Sequence, residues 1–176
     1  YEVKISRGFS ELKPSAYTAS ASEPVLDYRQ PPADKSNMAR YLFGGFKRCL
    51  YPVQKFQSDA ERKLSVVLER EASKWFKPAK GQFQIYYKSG ADHPEYQPDF
   101  VAETDGTIYM LEPKRHDEME DFEVIAKKDV AVKWCKRAST HAKTYRAKPW
   151  KYLLIPHDVI AENITLEWLA GRFEQK

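Results

Sequence analysis

The stretch EYQPDFVAETDGTIYMLEPKR, residues 95–115, sets a lone carboxylate, Asp99, and a Glu-Pro-Lys triplet on either side of a turn. Its arms, YQPDFVAE and TIYMLEPK, are rich in β-branched and aromatic residues and read as strands. Between them Asp105-Gly106 signals a two-residue type I′ hairpin, whose two central residues both need positive φ. With those residues in the loop, Thr104 pairs with Thr107 and Asp99 falls opposite Glu112. Lys114 lies two residues further on, on the same face. Opposed residues of an antiparallel pair have Cβ atoms about 4.5–5.5 Å apart, and like charges there are destabilising. Such a pair is tolerable when one acid is protonated or a cation lies between the two. With a lysine beside them, the two acids point to a hard-metal site rather than an acid–base dyad. The alternative is a surface hairpin whose charges splay into solvent. Against it, Val101/Met110 and Glu103/Ile108 continue the carboxylate face as a partly apolar one, and Phe100, Ala102, Tyr109 and Leu111 form the other. A strand pair apolar on both faces belongs inside a covered sheet, with its terminal carboxylates in a cleft.

The elements that must carry this hairpin follow from patterning. A helix is predicted over 58–76, with Ser58 as N-cap, Glu61 as its capping-box partner, and a stripe of Leu64, Leu68, Ala72 and Trp75. Extended backward, that stripe reaches Glu61, which can cap the helix or point toward the sheet. QFQIYYK, 82–88, reads as a strand. A second helix is predicted from about 120 to 140, with a stripe of Val124, Lys127, Ala131, Trp134 and Ala138 in which a lysine interrupts the apolar line. WKYLLIP, 150–156, suits a buried strand, and a helix containing LEWLAGRF closes the chain. Residues 38–51 read as a short helix, and 1–37 as an edge strand or arm followed by a loop rich in Ser, Pro and Ala. The order αβββαβ implies an α/β or α+β fold, a mixed sheet flanked by helices on both faces.

The 176 residues suffice for one domain with a real core. With 42% hydrophobic residues and no apolar run of transmembrane length, the composition implies a soluble globular chain and no membrane partner. The start at Tyr1, without a signal-peptide core, reads as a segment of a longer protein. Cys49 and Cys135 have no metal-type spacing and read as buried thiols of a reducing compartment, so the expected location is cytoplasmic. The net charge is +4, and residues 1–56 alone hold nine basic and five acidic side chains. No acid occurs between Asp129 and Asp158, a stretch that contains Lys133, Lys136, Arg137, Lys143, Arg146, Lys148 and Lys151. Such a run fits a polyanion partner; the competing explanation is the preference of cations for a helix C-terminus.

With the element order in hand, the pairing of Pro-Asp in one strand with Glu-x-Lys in the next resembles the PD-(D/E)xK nuclease superfamily. Five ordered blocks, KFQSDAERKLSVVLE, YQPDFVAET, YMLEPKR, EVIAKKDVAVKWC and KPWKYLLIPHDVI, look like the C-terminal endonuclease domain of the type III restriction enzyme Res subunit. That domain is fused to a superfamily 2 helicase, and the resemblance covers about residues 40–170. It implies a restriction-endonuclease-like core over 57–176, with 1–56 as an N-terminal arm and basic, aromatic extension packed on it. Asp99, Glu112 and Lys114 match the catalytic trio, Glu61 an acid that some members carry on the first helix, and Lys127 a recurrent lysine of the second. Pro113 departs from the pattern, because this position is usually apolar and β-compatible, and proline belongs on an edge or at a strand end.

The implied activity is metal-dependent hydrolysis of DNA phosphodiester bonds. Asp99 and Glu112 suit Mg²⁺, with Mn²⁺ in its place, and the Pro113 carbonyl adds a third oxygen. Lys114 orients or deprotonates the attacking water, or stabilises charge on the phosphate. Glu61 reaches the metal through water or serves only as a cap. Lys127 contacts phosphate or snorkels from the helix edge, and Lys136, Arg137 and Lys143 track the DNA backbone. His116 reads as an exposed loop residue and His157 as a helix-cap neighbour. The expected partners are DNA, the helicase region of the same polypeptide, where any ATP would bind, and a modification or specificity subunit. The alternative is a non-catalytic DNA-binding or helicase-docking module that retains the fold.

Overall fold

The hairpin around Asp105-Gly106 lies at the centre of a five-stranded sheet in the computed structural model, which describes residues 24–176. In chain order the strands are β1 (Val25–Asp27), β2 (Leu42–Gly44), β3 (Lys74–Phe76), β4 (Ile85–Tyr86), β5 (Glu95–Tyr96), β6 (Phe100–Glu103), β7 (Ile108–Lys114), β8 (Trp150–Pro156) and β9 (Glu174–Gln175). The helices are α1 (Asp59–Glu71), α2 (Phe122–Thr144) and α3 (Leu166–Phe173). The main sheet has the order β3-β6-β7-β8-β9; β7 and β8 are parallel and the other neighbours antiparallel. β1 and β2 form a separate parallel pair, and β4 and β5 a separate antiparallel ribbon. The protein is thus a mixed α/β fold with a mixed sheet and helices.

The centre of the sheet is apolar on both faces, which gives two cores. Phe100, Ala102, Leu111, Leu153 and Ile155 pack with Leu64, Val67 and Leu68 of α1 and Leu166 and Leu169 of α3. Met110, Tyr152 and Leu154 face the other way, onto Val124, Ala131 and Cys135 of α2 and Ile85 and Tyr96 of the ribbon. Burial pushes the Cys135 thiol up to about 12 and Cys49 up to about 11, and neither cysteine is in a disulfide.

Several predicted boundaries shift. The first helix ends at Glu71, with Ala72 as its C-cap, and Trp75 belongs to β3. There the Trp75 N–H donates to Arg48 O at 3.0 Å, its carbonyl accepts Leu50 N–H at 2.9 Å, and the residue pairs with Ala102. These long-range bonds outcompete the continued helical period. The edge strand of the main sheet is therefore 74–76, and of the predicted strand 82–88 only Ile85–Tyr86 is paired, in the ribbon. The short helix expected over 38–51 is instead the end of a 3-10 stretch, Lys35–Arg40, followed by β2. The second helix runs longer than expected, from 122 to 144. Most of the predicted arm, 1–23, lies outside the described residues.

The hairpin keeps its two-residue loop and its register: Phe100 pairs with Leu111, Val101 with Met110, Ala102 with Tyr109 and Glu103 with Ile108. Its turn is not type I′, because neither Asp105 nor Gly106 has positive φ. The Thr107 N–H donates to the Thr104 hydroxyl at 3.3 Å, while the Thr104 carbonyl accepts from Lys148 Nζ at 2.8 Å. A side-chain oxygen closes the loop in place of the backbone carbonyl.

Candidate functional site

The β6–β7 pairing ends at Phe100–Leu111, and the chain bends at Asp99, which lies close enough to Glu112 for their charges to interact. The Ile108 N–H donates to Pro149 O at 2.9 Å, so even-numbered residues of β7 turn their backbone groups toward β8 and odd-numbered ones toward β6. The missing N–H of Pro113 therefore faces away from β8, on the side where the β6 pairing has already ended. The parallel pairing of β7 with β8 continues unbroken through Glu112–Leu154, Pro113–Ile155 and Lys114–Pro156. Proline is accommodated because a ladder ends there, in keeping with its restriction to edges and strand ends.

Glu112 is 7% exposed and Asp99 is half-buried. Burial raises the Asp99 carboxyl well above the usual range, and the neighbouring Glu112 charge raises it further, while Lys77 and Lys114 oppose the shift. Burial also raises Glu112, against the hydrogen bond from Tyr96 and the charges of Lys114 and Lys127. The pair is a desolvated like-charge couple, better tolerated if one member keeps a proton or a cation joins them. Among the described residues the Asp99 carboxylate makes no side-chain hydrogen bond or ion pair. Lys114 Nζ stands 3.9 Å from Glu112 Oε1, on the same side of the sheet.

Glu61 reaches this region from the start of α1. Its backbone N–H donates to Ser58 Oγ at 3.2 Å, and its Oε2 accepts the Gln57 N–H at 2.8 Å, one residue before the partner a capping box would use. The same oxygen pairs with Lys77 Nζ at 2.8 Å, a buried ion pair at the end of β3. Lys77 also lies 4.4 Å over the Phe100 ring. The acid is thus engaged by a lysine that sequence reasoning missed, since the helical spacing of Leu68, Ala72 and Trp75 masks the strand that Lys77 follows.

Tyr96 was missed as well, while His157, expected as a helix-cap neighbour, does follow the N-cap of a 3-10 turn. The Tyr96 hydroxyl donates to Glu112 Oε2 at 2.7 Å, with the Tyr152 hydroxyl 3.4 Å away. Burial, then the Glu112 charge, raise the Tyr96 phenol well above its ordinary value, so it keeps its proton and donates. His157 follows Pro156, the partner of Lys114, and burial lowers its pKa against the charge of nearby Glu61. His116 opens an exposed 3-10 turn, 3.7 Å from Asp158.

Lys127 points back to the site end of α2, where it pairs with Glu123 at 2.9 Å and lies 5.4 Å over the Tyr87 ring. Lys136, Arg137 and Lys143 are exposed, and with Lys133 and Arg146 they form no ion pair among the described residues. They are not brought to the acids. Ser139 Oγ accepts the Trp150 N–H at 2.8 Å, which ties the later part of α2 to the start of β8, and Trp150 pairs with Ile108 beside the hairpin turn. The basic group therefore lies at the opposite end of the sheet, with Lys143 about 24 Å along the helix from Lys127 at 1.5 Å per residue.

Two shallow hollows of about 440 and 640 Å³ also lie at the hairpin end; Glu71 and Thr104 line both, and no acid of the site borders either. The acids sit instead on a rim of strand ends. Among the described residues no group of three or more His, Cys, Asp and Glu side chains is gathered to hold a metal ion. The oxygen donors are the Asp99 and Glu112 carboxylates and the β6-facing carbonyl of Pro113. That set fits Mg²⁺, which keeps several waters and is commonly held by one or two carboxylates plus substrate phosphate; a structural zinc site, with four protein ligands, does not fit. No helix among the described residues is long and apolar enough to cross a membrane. No family model, curated protein or solved structure matches the chain.

Proposed function

We propose that the chain is a metal-dependent endonuclease domain that hydrolyses DNA phosphodiester bonds, built on a restriction-endonuclease-like core of the PD-(D/E)xK type. The observation that carries this reading is the close pair of a buried Glu112 and a half-buried Asp99 at the end of β6 and β7, with Lys114 Nζ 3.9 Å from Glu112. The pair stands at the start of β6 and the end of β7, strand ends past which an extended polymer could run. The sequence blocks further support an origin in a type III restriction-like helicase–nuclease, with the helicase region and a modification or specificity subunit as partners.

Asp99 and Glu112 hold Mg²⁺ or Mn²⁺, and the Pro113 carbonyl is a further oxygen on the same side of β7. Such an ion supplies charge neutralisation of the phosphate and a bound water of lowered pKa. Lys114 contributes a fixed positive charge beside Glu112, where it steadies the attacking water or the charge developing on phosphate. Lys77 neutralises Glu61 and lessens the negative potential around Asp99. Lys136, Arg137 and Lys143 bind backbone phosphates away from the reacting bond.

A non-catalytic DNA-binding or helicase-docking module is the second reading, favoured by one observation: Glu61 is occupied by Lys77, so no third acid joins the pair. A plasmid-nicking assay in Mg²⁺ or Mn²⁺, with and without chelator, separates the two. The nuclease reading expects chelator-sensitive nicking that Asp99→Ala and Lys114→Ala each reduce by at least about 100-fold with the fold retained. Wild-type protein that binds DNA without cutting it, or variants that cut normally, would refute the reading.

A further inference from the structure

The ribbon β4–β5 lies outside the main sheet, yet it sends two tyrosines to the charged groups beside the site. Tyr87 donates its hydroxyl to Glu123 Oε1 at 2.9 Å, the oxygen that also accepts Lys127. Tyr96 donates to Glu112 Oε2 at 2.7 Å and is itself 2% exposed. The open end of the ribbon is tied to the segment before it: the Gly81 N–H donates to Glu95 Oε1 at 2.6 Å, and Gln97 Nε2 donates to Pro78 O at 2.8 Å. The phenol is thus delivered to Glu112 by a fixed support.

We propose that Tyr96 is the positioning residue of the acidic pair: its phenol holds Oε2 of Glu112 and leaves Oε1 to join Asp99 in binding a divalent cation. The inference rests on the metal-site reading above. A carboxylate is planar, so a short bond to one oxygen sets the plane of both. The 2.7 Å contact to Glu112 has the length of a charge-assisted bond, whereas the 3.4 Å approach to Tyr152 is long for two hydroxyls. Tyr96 therefore spends its one proton on Glu112. Hydrogen-bond partners of metal ligands typically contribute 10–100-fold to metal affinity. The competing explanation is that a buried phenol needs an acceptor and Glu112 happens to serve. That explanation expects Tyr96 to matter for stability and not for the cation.

Titration of the full chain with Mn²⁺, with the free ion read by electron paramagnetic resonance, separates these. Wild type should bind Mn²⁺, and Asp99→Asn should abolish the site. Tyr96→Phe, which keeps the ring and its packing, should weaken binding by about tenfold. Tyr152→Phe, which removes the more distant hydroxyl, should stay within about twofold of wild type. Glu112→Gln should weaken binding by itself, and Tyr96→Phe should add nothing to that loss, because it acts through the Glu112 carboxylate. Unchanged affinity in Tyr96→Phe overturns the inference and leaves the metal-site reading standing. Losses in Tyr96→Phe and Glu112→Gln that add independently, or an equal loss in Tyr152→Phe, also overturn it. A wild-type chain that binds no Mn²⁺ overturns the metal-site reading and this inference together.

Discussion

Phe100 and Leu111 form the last rung of the β6–β7 ladder, and just beyond it the two arms carry Pro98 and Pro113, neither of which has an N–H to extend it. The observed pairing stops just short of Asp99 and Glu112. The Pro-Asp and Glu-Pro-Lys motifs therefore act together: each proline ends a strand edge beside the acid it neighbours.

Because the absent Pro113 N–H faces no donor or acceptor in β8, Pro113→Val should change stability by no more than about 1 kcal/mol. Metal-dependent nicking should persist. Urea denaturation and the plasmid assay check both points, and a loss of several kcal/mol would show that the proline is needed for the fold.

The acidic pair makes stability fall as pH rises. Burial, and then the Glu112 charge, raise Asp99 well above its ordinary 3.8, and burial raises Glu112. The folded chain then binds more protons than the unfolded one above that ordinary value, so its relative stability is greatest on the acid side and declines through the raised folded values. Without metal, wild type should melt lower at about pH 8 than at about pH 5.5, and Asp99→Asn should reduce that difference and stabilise by on the order of 1 kcal/mol at pH 8. Mg²⁺ should restore stability to wild type and not to the variant. Identical pH slopes in the two proteins would remove the pair as its cause.

The exposed basic end of α2 predicts the salt dependence of DNA binding. Affinity should fall with salt with a slope of about −0.9 per phosphate neutralised, and replacing Lys136, Arg137 and Lys143 together by alanine should flatten it by as much as about 3 while weakening all sequences alike. Cutting at low salt and high protein concentration should remain, because the acids lie at the other end of the sheet. An unaltered slope would reduce this run to a solvated face and move attention to residues 1–56.

Arg62 is 1% exposed, and its guanidinium bonds Asp59 at 2.7 Å, the Tyr28 carbonyl at 3.0 Å and Glu162 at 3.0 Å. Removing it strips three segments of a shared partner, so Arg62→Ala should cost about 3–5 kcal/mol. Arg62→Lys should recover only part of this, since an ammonium cannot reproduce the planar fork. Chemical denaturation measures both; a cost below about 1 kcal/mol in the alanine variant would contradict the packing described here.

The hairpin was legible in the sequence because its determinants are local: alternation, two loop residues and the register they impose. The turn type was not, since it depends on Lys148 drawing away the Thr104 carbonyl from 44 residues downstream. The end of α1 was hidden because Leu64, Leu68, Ala72 and Trp75 keep a helical spacing across the C-cap, while the partners that hold Trp75 in β3 come from 48–50 and 102. That Asp99, Glu112 and Lys114 would come close together could be read from the hairpin. Lys77 and Tyr96 could not, because one needed the correct edge strand and the other a ribbon whose packing has no short-range signature. The tolerance of Pro113 was hidden for a related reason: which way its N–H would face is set by the parallel neighbour β8.

Helix α2 gives the proposed nuclease an internal ruler. Its 23 residues run as one unbroken rod from the acidic rim to the hairpin end, and the distance from Lys127 to Lys143 matches about seven base-pair steps at 3.4 Å each. A duplex laid along that rod would be gripped well to one side of the bond being broken. The protected stretch in a footprint should then be lopsided about the cut, extending further in the direction of Lys143, and shortening α2 by whole turns should draw the protected edge toward the cleavage point by about 5.4 Å, or between one and two base pairs, per turn.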